Sequence, residues 1–237
     1  MIEKLTTTPS TPNQRDTDIR IASEVSALVG TERDFFVLTG SYSIDALTGA
    51  DVKHNDIDAN VFTVDIPTAL GRTAALLQTY VSEAELTKQT DDRLEYQYPH
   101  QCGSTQVEMQ FVRYESFLKD SGGTNFVLPS KSNHEVIVPT VQAELWETNR
   151  RKHIFSVKSL PFAVGTWALR ISDVALDQKR PVRESDIRHF AFLAAMPHDR
   201  AAILSAIRHH PQMPNSYDAG DVLNISYEIL ERRQGCE

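Results

Sequence analysis

Nine residues, Asp56 to Val64, place the tightest limit on what this chain can fold into. Ile57, Ala59 and Val61 alternate with Asp56, Asp58 and Asn60. A period of two belongs to a strand with one face in a core and the other in polar surroundings. The pattern therefore predicts a half-buried strand that carries two carboxylates side by side on its open face.

The flanking sequence supplies neighbours for that strand. Ile19, Ala22, Val25, Ala27 and Leu28 recur at helical spacing behind Asp16 and Thr17, predicting a helix that Gly30 closes. Phe35–Leu38 reads as a short buried strand, and Tyr42–Thr48 as a short helix stopped by Gly49. Pro67 opens a further helix, which the spacing of Leu70, Ala74, Leu77 and Val81 carries to about Glu85. Strands are expected at Leu94–Tyr98 and Thr105–Arg113, the second with Val107, Met109 and Phe111 inward and Gln106, Glu108 and Gln110 outward. Ser116 to Asn133 reads as loop broken by the short Phe126–Leu128 run, with Ser121-Gly122-Gly123 as a mobile lid. Val136–Val138 and Ile154–Val157 are late strands.

From Pro161 the texture changes to helical spacing through Trp167, Leu169, Ile171 and Val174, followed by helices near Glu184–Met196, Asp199–His209 and Val222–Arg232. The fold class expected is α+β. A mixed β-sheet domain with flanking helices spans residues 16–159, a helical C-terminal domain spans 160–237, and residues 1–15, rich in Thr, Pro and Ser, form a flexible tail.

Composition narrows the function classes. A hydrophobic fraction of 41% and a charged fraction of 24% are those of a globular chain. The longest apolar runs, such as Ala191–Met196, fall far short of the ~20 residues of a membrane helix. Cys102 and Cys236 have neither zinc nor disulfide spacing, and the first residues lack the apolar core of a signal peptide, so a reducing cytoplasm is expected. A net charge of -8 and a pI near 5.5 argue against a sequence-independent grip on nucleic acid, which requires Lys and Arg against phosphates. The same field attracts a cationic small substrate.

Two Asp residues at i and i+2 of a strand can share divalent ions ~3.5–4 Å apart, and Asp56-Ile57-Asp58 meets that condition. Glu108, the one acidic residue in the strand-like Thr105–Val112 segment, is the candidate third ligand or the general base. The Gly40-Ser41 turn offers closely approachable backbone, a hydroxyl donor and a helix N-terminus that favours anions, which suits a triphosphate. Nucleotidyl transfer asks for in-line geometry and cations rather than covalent help. The expected cofactor is Mg2+, as two ions, with ATP or another nucleoside triphosphate as co-substrate.

Each feature has a plainer reading: a solvated strand edge for the Asp pair, a turn glycine and an N-cap for Gly40 and Ser41, an exposed edge position for Glu108. Their occurrence in series, strand, turn, helix and acidic strand, weighs for the metal. Asp45 reads as a polar helix residue that hydrogen-bonds the turn, and His54 as one that orients Asp56 or faces water. Arg170, Lys179, Arg180 and Arg183 either line a cleft or form a solvated helix face.

Gly40-Ser41, fourteen intervening residues and Asp56-Ile57-Asp58 resemble the signature of the DNA polymerase β-type nucleotidyltransferase superfamily. The string Leu38-Thr39-Gly40-Ser41-Tyr42-Ser43-Ile44-Asp45-Ala46-Leu47, followed by Lys53-His54-Asn55-Asp56-Ile57-Asp58, is similar to the branch that adenylylates aminoglycosides and lincosamides, in which a basic residue and a His often precede the Asp pair. Ser159-Leu160-Pro161, Trp167-Ala168-Leu169-Arg170 and the stretch from Lys179 to Ile187 resemble the helical half of AbiEii-type toxin nucleotidyltransferases. The likeness spans most of residues 35–195, thinly in the middle.

The resemblance implies Asp56, Asp58 and Glu108 as metal ligands, Gly40 and Ser41 at the triphosphate, and Arg170 and Lys179 as further nucleotide contacts. Three departures stand out: Arg170 where the toxin group carries Lys, His189 where it often has an acid, and Glu108 where Asp is frequent. The implied reactions are adenylylation of a small hydroxyl acceptor, or a toxin-like transfer to RNA or protein. A silent binding module of the same fold is the third reading.

Overall fold

The computed structural model describes residues 12–52, 54, 56–81, 83–100, 103–129, 136–177, 181–214 and 216–234. In chain order the elements are α1 (Pro12–Val29), β1 (Phe35–Leu38), α2 (Gly40–Thr48), β2 (Asp56–Thr63), α3 (Ile66–Tyr80), β3 (Glu85–Gln89), β4 (Arg93–His100), β5 (Gly103–Arg113), β6 (Ser116–Lys119), β7 (Thr124–Leu128), β8 (Val136–Trp146), β9 (Lys152–Lys158), α4 (Leu160–Asp177), α5 (Glu184–Ala194), α6 (Arg200–Arg208) and α7 (Ala219–Gln234). The strands form one mixed sheet in the order β3-β4-β5-β2-β1-β9-β8-β7-β6. The fold is α+β, and no helix among the described residues is long and apolar enough to cross a membrane. Two compact units result: one holds Thr140–Lys158 and the described residues up to Pro129, the other the described residues of 130–139 and of 159–237.

In the first unit, β2 pairs antiparallel with β1 and parallel with β5. Ile57, Ala59 and Val61 of β2 and Val107, Met109 and Phe111 of β5 are at most 2% exposed. They join Ile19, Ala22 and Val25 of α1 and Leu70 and Leu77 of α3 in one core. Burying each large side chain contributes about 1.5–3 kcal/mol, enough to lock the register, because a one-residue slip would turn the whole apolar set out of the core. The acids of β2 and β5 are thereby committed to the opposite face.

Several local expectations are corrected. Residues 12–15, placed in the tail, are helical. Gln14 Nε2 donates to Asp18 Oδ1 at 2.8 Å and Thr105 Oγ1 at 3.0 Å, and Arg15 donates to the Trp146 carbonyl at 2.7 Å. Such tertiary bonds hold a turn whose own composition is a poor helix former. The rest of the expected tail lies outside the described residues. Helix α3 starts on schedule, with Asp65 as N-cap and Pro67 in its first turn, yet ends at Tyr80 rather than Glu85. The edge strand β3 follows, exposed along its length and therefore without the alternation that would reveal it.

The expected loop from Ser116 is a hairpin, β6 paired to β7 from Ser116↔Val127 to Lys119↔Thr124. Aromatic contacts dock it: Phe126 stacks on Phe62 with centroids 4.3 Å apart, and Phe35 meets Phe117 edge-on at 4.9 Å. Nor is Ser121-Gly122-Gly123 a lid. Asp120 Oδ1 accepts from the Gly122 and Gly123 amides, both at 2.8 Å, and these donors hold its carboxyl below the ordinary range. A Cβ on Gly123 would collide with the Thr140 carbonyl. The turn is pinned at both ends.

At the far end of the first unit, buried Glu147 accepts from Arg20 Nε at 2.9 Å and pairs with His153 Nε2 at 2.7 Å. Desolvation works against its charge, but the bonds to Arg20 and His153 outweigh it and leave the Glu147 carboxyl below its ordinary value. A depressed carboxyl contributes stability above its unfolded pKa of about 4.3, and that contribution disappears as pH falls through the folded value. Glu147→Gln should therefore lower the urea midpoint at pH 7 and leave a much smaller difference at pH 3.

The second unit is built round α4, which packs against α5, α6 and α7. Val164, Ala168 and Ile171 are fully buried, and Ser226 Oγ of α7 donates to the Ala168 carbonyl at 3.0 Å. Asp199 caps α6 by accepting from the Ala201 amide at 2.9 Å.

Candidate active site

The site begins where β1 ends. Thr39 N donates to the Asp58 carbonyl at 2.8 Å, which ties the turn to β2. Gly40 follows with φ of 62°, in the left-handed region that favours glycine, and a Cβ there would run into Asp58 Oδ2. Glycine is required twice over, by its backbone and by the carboxylate pressed against it. Asp58 thus faces the turn at the head of α2, where free backbone N–H groups suit an anion.

Across the sheet, the parallel register sets Asp56 opposite Gln106 and Asp58 opposite Glu108. Neighbouring strands lie ~4.8 Å apart, so Asp58 and Glu108 are adjacent on one face. Asp58 is thus set beside Glu108 on one side and against Gly40 on the other, while the ligand atoms of Asp56, Asp58 and Glu108 do not all come within 4.8 Å of one another. Burial raises the Asp56 carboxyl above its ordinary value. It raises Glu108 as well, with Asp56 and Glu95 adding to the rise and Arg93 opposing it. Carboxylates crowded on a half-desolvated face call for a cation.

In this structure that cation is a guanidinium. Arg93 donates to Glu108 Oε2, and the same terminal nitrogen lies 2.8 Å from Glu95 Oε1. Glu95 stands directly opposite Glu108 in the β4–β5 pair and also approaches Lys88 Nζ at 3.2 Å. Arg93 and Glu95 escaped sequence reading because their role depends on β4 lying beside β5, and no local period encodes that.

The Gly-Ser turn rests on a second buried network. Ser41, 7% exposed, has its Oγ 2.9 Å from His54 Nδ1, and His54 Nε2 is 2.7 Å from Asp45 Oδ2. Asp45 Oδ1 accepts from the Val52 amide at 2.9 Å. Burial raises the Asp45 carboxyl, with the His54 bond opposing. The Tyr42 ring stacks on His54 at 3.6 Å and 8°, and its hydroxyl donates to Asp18 at 2.6 Å. Asp45 therefore bonds His54 and the loop after α2 rather than its own turn, and His54 orients Ser41 instead of Asp56.

Among the described residues, Asp45, Asp51 and His54 alone bring three ligand atoms within 4.8 Å of one another. Arg15 already stands against them, 3.6 Å from Asp45 Oδ2 and 3.3 Å from Asp51 Oδ1, so that cluster has its counter-ion. In the second unit, Arg170 Nε donates to Asp186 Oδ2 at 3.2 Å, and the guanidinium sits 5.0 Å from the Trp167 ring centroid. Within its unit Arg170 is engaged in holding Asp186, itself 4% exposed at the start of α5. Lys53, Lys179 and Arg180 lie outside the described residues.

No protein-family model matches this sequence, and no curated protein matches it. Solved structures do resemble it. A STING-associated CdnE c-di-GMP synthase from Capnocytophaga granulosa shares 9% identity over 97% of this chain and 85% of its own, with a TM-score of 0.39. JHP933 from Helicobacter pylori shares 12% over 97% of each chain, with a TM-score of 0.45. A further H. pylori protein, assigned as a nucleotidyltransferase, shares 13% over 96% of this chain and 99% of its own, with a TM-score of 0.44. Identities and scores this low leave the weight on the geometry of the site itself. In that geometry the Gly40-Ser41 turn lies against Asp58 of the Asp56-Ile57-Asp58 strand, and Glu108 stands level with Asp58 on the neighbouring strand.

Proposed function

We propose that this protein transfers a nucleoside monophosphate, AMP being the favoured group, from a nucleoside triphosphate to a hydroxyl acceptor. The observation that carries the reading is the position of Asp58, against the glycine of the turn that opens α2 on one side and level with Glu108 on the next strand on the other. Asp56, Asp58 and Glu108 suit a pair of magnesium ions in kind: hard carboxylate oxygens on one face of two neighbouring strands, with burial raising the pKa of Asp56 and Glu108. When bound, magnesium supplies charge neutralisation on the attacking, bridging and leaving oxygens.

The chain's own groups supply the rest. The backbone N–H groups that open α2 receive the triphosphate, with Gly40 allowing close approach. Asp56 and Asp58 would hold the ions beside that turn. Glu108, whose burial makes it a stronger base than an exposed carboxylate, accepts the hydroxyl proton as the new P–O bond forms and pyrophosphate departs. The net charge of -8 favours a cationic small molecule over RNA as acceptor.

The test is to incubate the protein with each α-labelled nucleoside triphosphate, magnesium and a panel of aminoglycoside-like compounds, RNA and protein. Magnesium-dependent label on a small hydroxylated compound, strongest with ATP, is the expected result. Label on RNA or protein would favour the toxin-like alternative. No label on any acceptor, with triphosphate still bound, would leave a binding module.

A further inference from the structure

Within the acidic face, Arg93 is held in a way that leaves polar groups unmet. Its terminal nitrogen donates to Glu108, while its Nε is buried with no hydrogen-bond partner among the described residues. Glu95 Oε1, although 2.8 Å from the same guanidinium, accepts no well-directed hydrogen bond from the described residues. One guanidinium thus lies between two carboxylates, bonded to Glu108 and leaving Glu95 Oε1 without a directed hydrogen bond among the described residues. Arg93 and Glu95 sit two residues apart on β4 and so project from the same face. A turn of the Arg93 side chain toward Glu95 would bring the guanidinium fork onto a single carboxylate, the geometry in which such pairs are strongest.

We propose that Arg93 is a resident counter-ion: it neutralises Glu108 when no divalent ion is bound, and moves onto Glu95 when an ion takes Glu108. Glu95 is then a positioning residue, the alternative partner that makes the exchange inexpensive. Gln106 Nε2, which donates to Glu95 Oε2 at 3.2 Å, and Lys88 hold that partner in place. The exchange keeps charge on the face balanced in both states and delays opening of the pocket until an ion arrives. This inference rests on the reading of Asp56, Asp58 and Glu108 as an ion pocket.

Two measurements on the full chain test it: magnesium titration by calorimetry, and the Arg93 Nε–H resonance in 1H–15N spectra, identified by its loss in Arg93→Lys. In the wild type that resonance should shift with the same midpoint as the calorimetric binding. Arg93→Gln, which removes the competitor, should bind magnesium about fivefold more tightly, the worth of one partly exposed ion pair. Glu95→Gln, which removes the alternative partner, should weaken magnesium binding and abolish the shift. If magnesium binds the wild type while the resonance stays still, or if Arg93→Gln gains nothing, the exchange is wrong and the ion pocket stands. If the wild type and Asp58→Asn bind magnesium equally, or not at all, the pocket itself is wrong and the exchange falls with it. Should Arg93→Gln unfold, the wild-type resonance and the Glu95→Gln titration decide alone.

Discussion

Asp58→Asn is expected to lower magnesium-dependent nucleotidyl transfer by about a thousandfold or more while leaving the melting temperature within a few degrees of wild type. The magnitude follows from the several kcal/mol that a bound ion supplies to charge developing in the transition state, at 1.36 kcal/mol for each tenfold in rate. Asp58 is the shared member of both halves of the site: its carboxylate abuts Gly40, and its strand position is level with Glu108. The fold should survive because Asp58 lies on the open face, opposite the core contacts of Ile57 and Ala59. Pyrophosphate release and thermal unfolding measured on the same preparation separate the two effects. Transfer at the wild-type rate would remove Asp58 from the mechanism.

Asp45→Ala should produce the largest loss of stability. Asp45 and His54 have side chains 1% and 0% exposed, and breaking a buried pair of this kind costs about 3–5 kcal/mol. For a chain of this size that is a drop in melting temperature on the order of 10 °C. The loss has named victims: the Nε2–H of His54 and the amide of Val52, both left facing an apolar methyl. A melting temperature within two or three degrees of wild type would show that the pair is not structural.

Asp45→Asn probes the same network more gently. A His54 ring that carries its proton on Nε2, toward the Asp45 carboxylate, accepts the Ser41 hydroxyl proton on Nδ1. In that tautomer the Ser41 hydroxyl proton is engaged by the ring and is not offered to another acceptor. An Asn amide pointing its NH2 at Nε2 would shift the ring proton to Nδ1 and free the Ser41 hydroxyl to donate elsewhere. The 15N shifts of the His54 ring distinguish the two tautomers directly.

The comparison of sequence with structure divides along the range of the interactions concerned. Residues 56–64 announced their strand and its acidic face because a period of two is a local property, enforced by the pleat whatever lies beside it. Residues 105–113 did the same, and Gly49 ended α2 as expected, in the left-handed conformation with φ of 70°. Where that local signal was weak the reading failed. The exposed strand β3 and the hairpin β6–β7 are polar or glycine-rich, and they are held by neighbours: Gly123 by the Thr140 carbonyl, Phe126 by Phe62. Helix α1 begins earlier than its apolar spacing because Gln14 and Arg15 find partners near residues 105 and 146.

The sequence by itself determined which face of the central strand would be acidic, that a glycine-serine turn would precede it, and that helices would follow the sheet. Those outcomes need only covalent geometry and the separation of apolar from polar side chains. Tertiary structure alone decided that β5 runs parallel to β2 with Glu108 level with Asp58, that β4 brings Arg93 and Glu95 to the same row, and that His54 turns toward Ser41. Each of these joins residues far apart in the chain or across a loop. Their energy is that of a through-space contact between charged or polar groups, which exists only once the core has folded and fixed the strands in register.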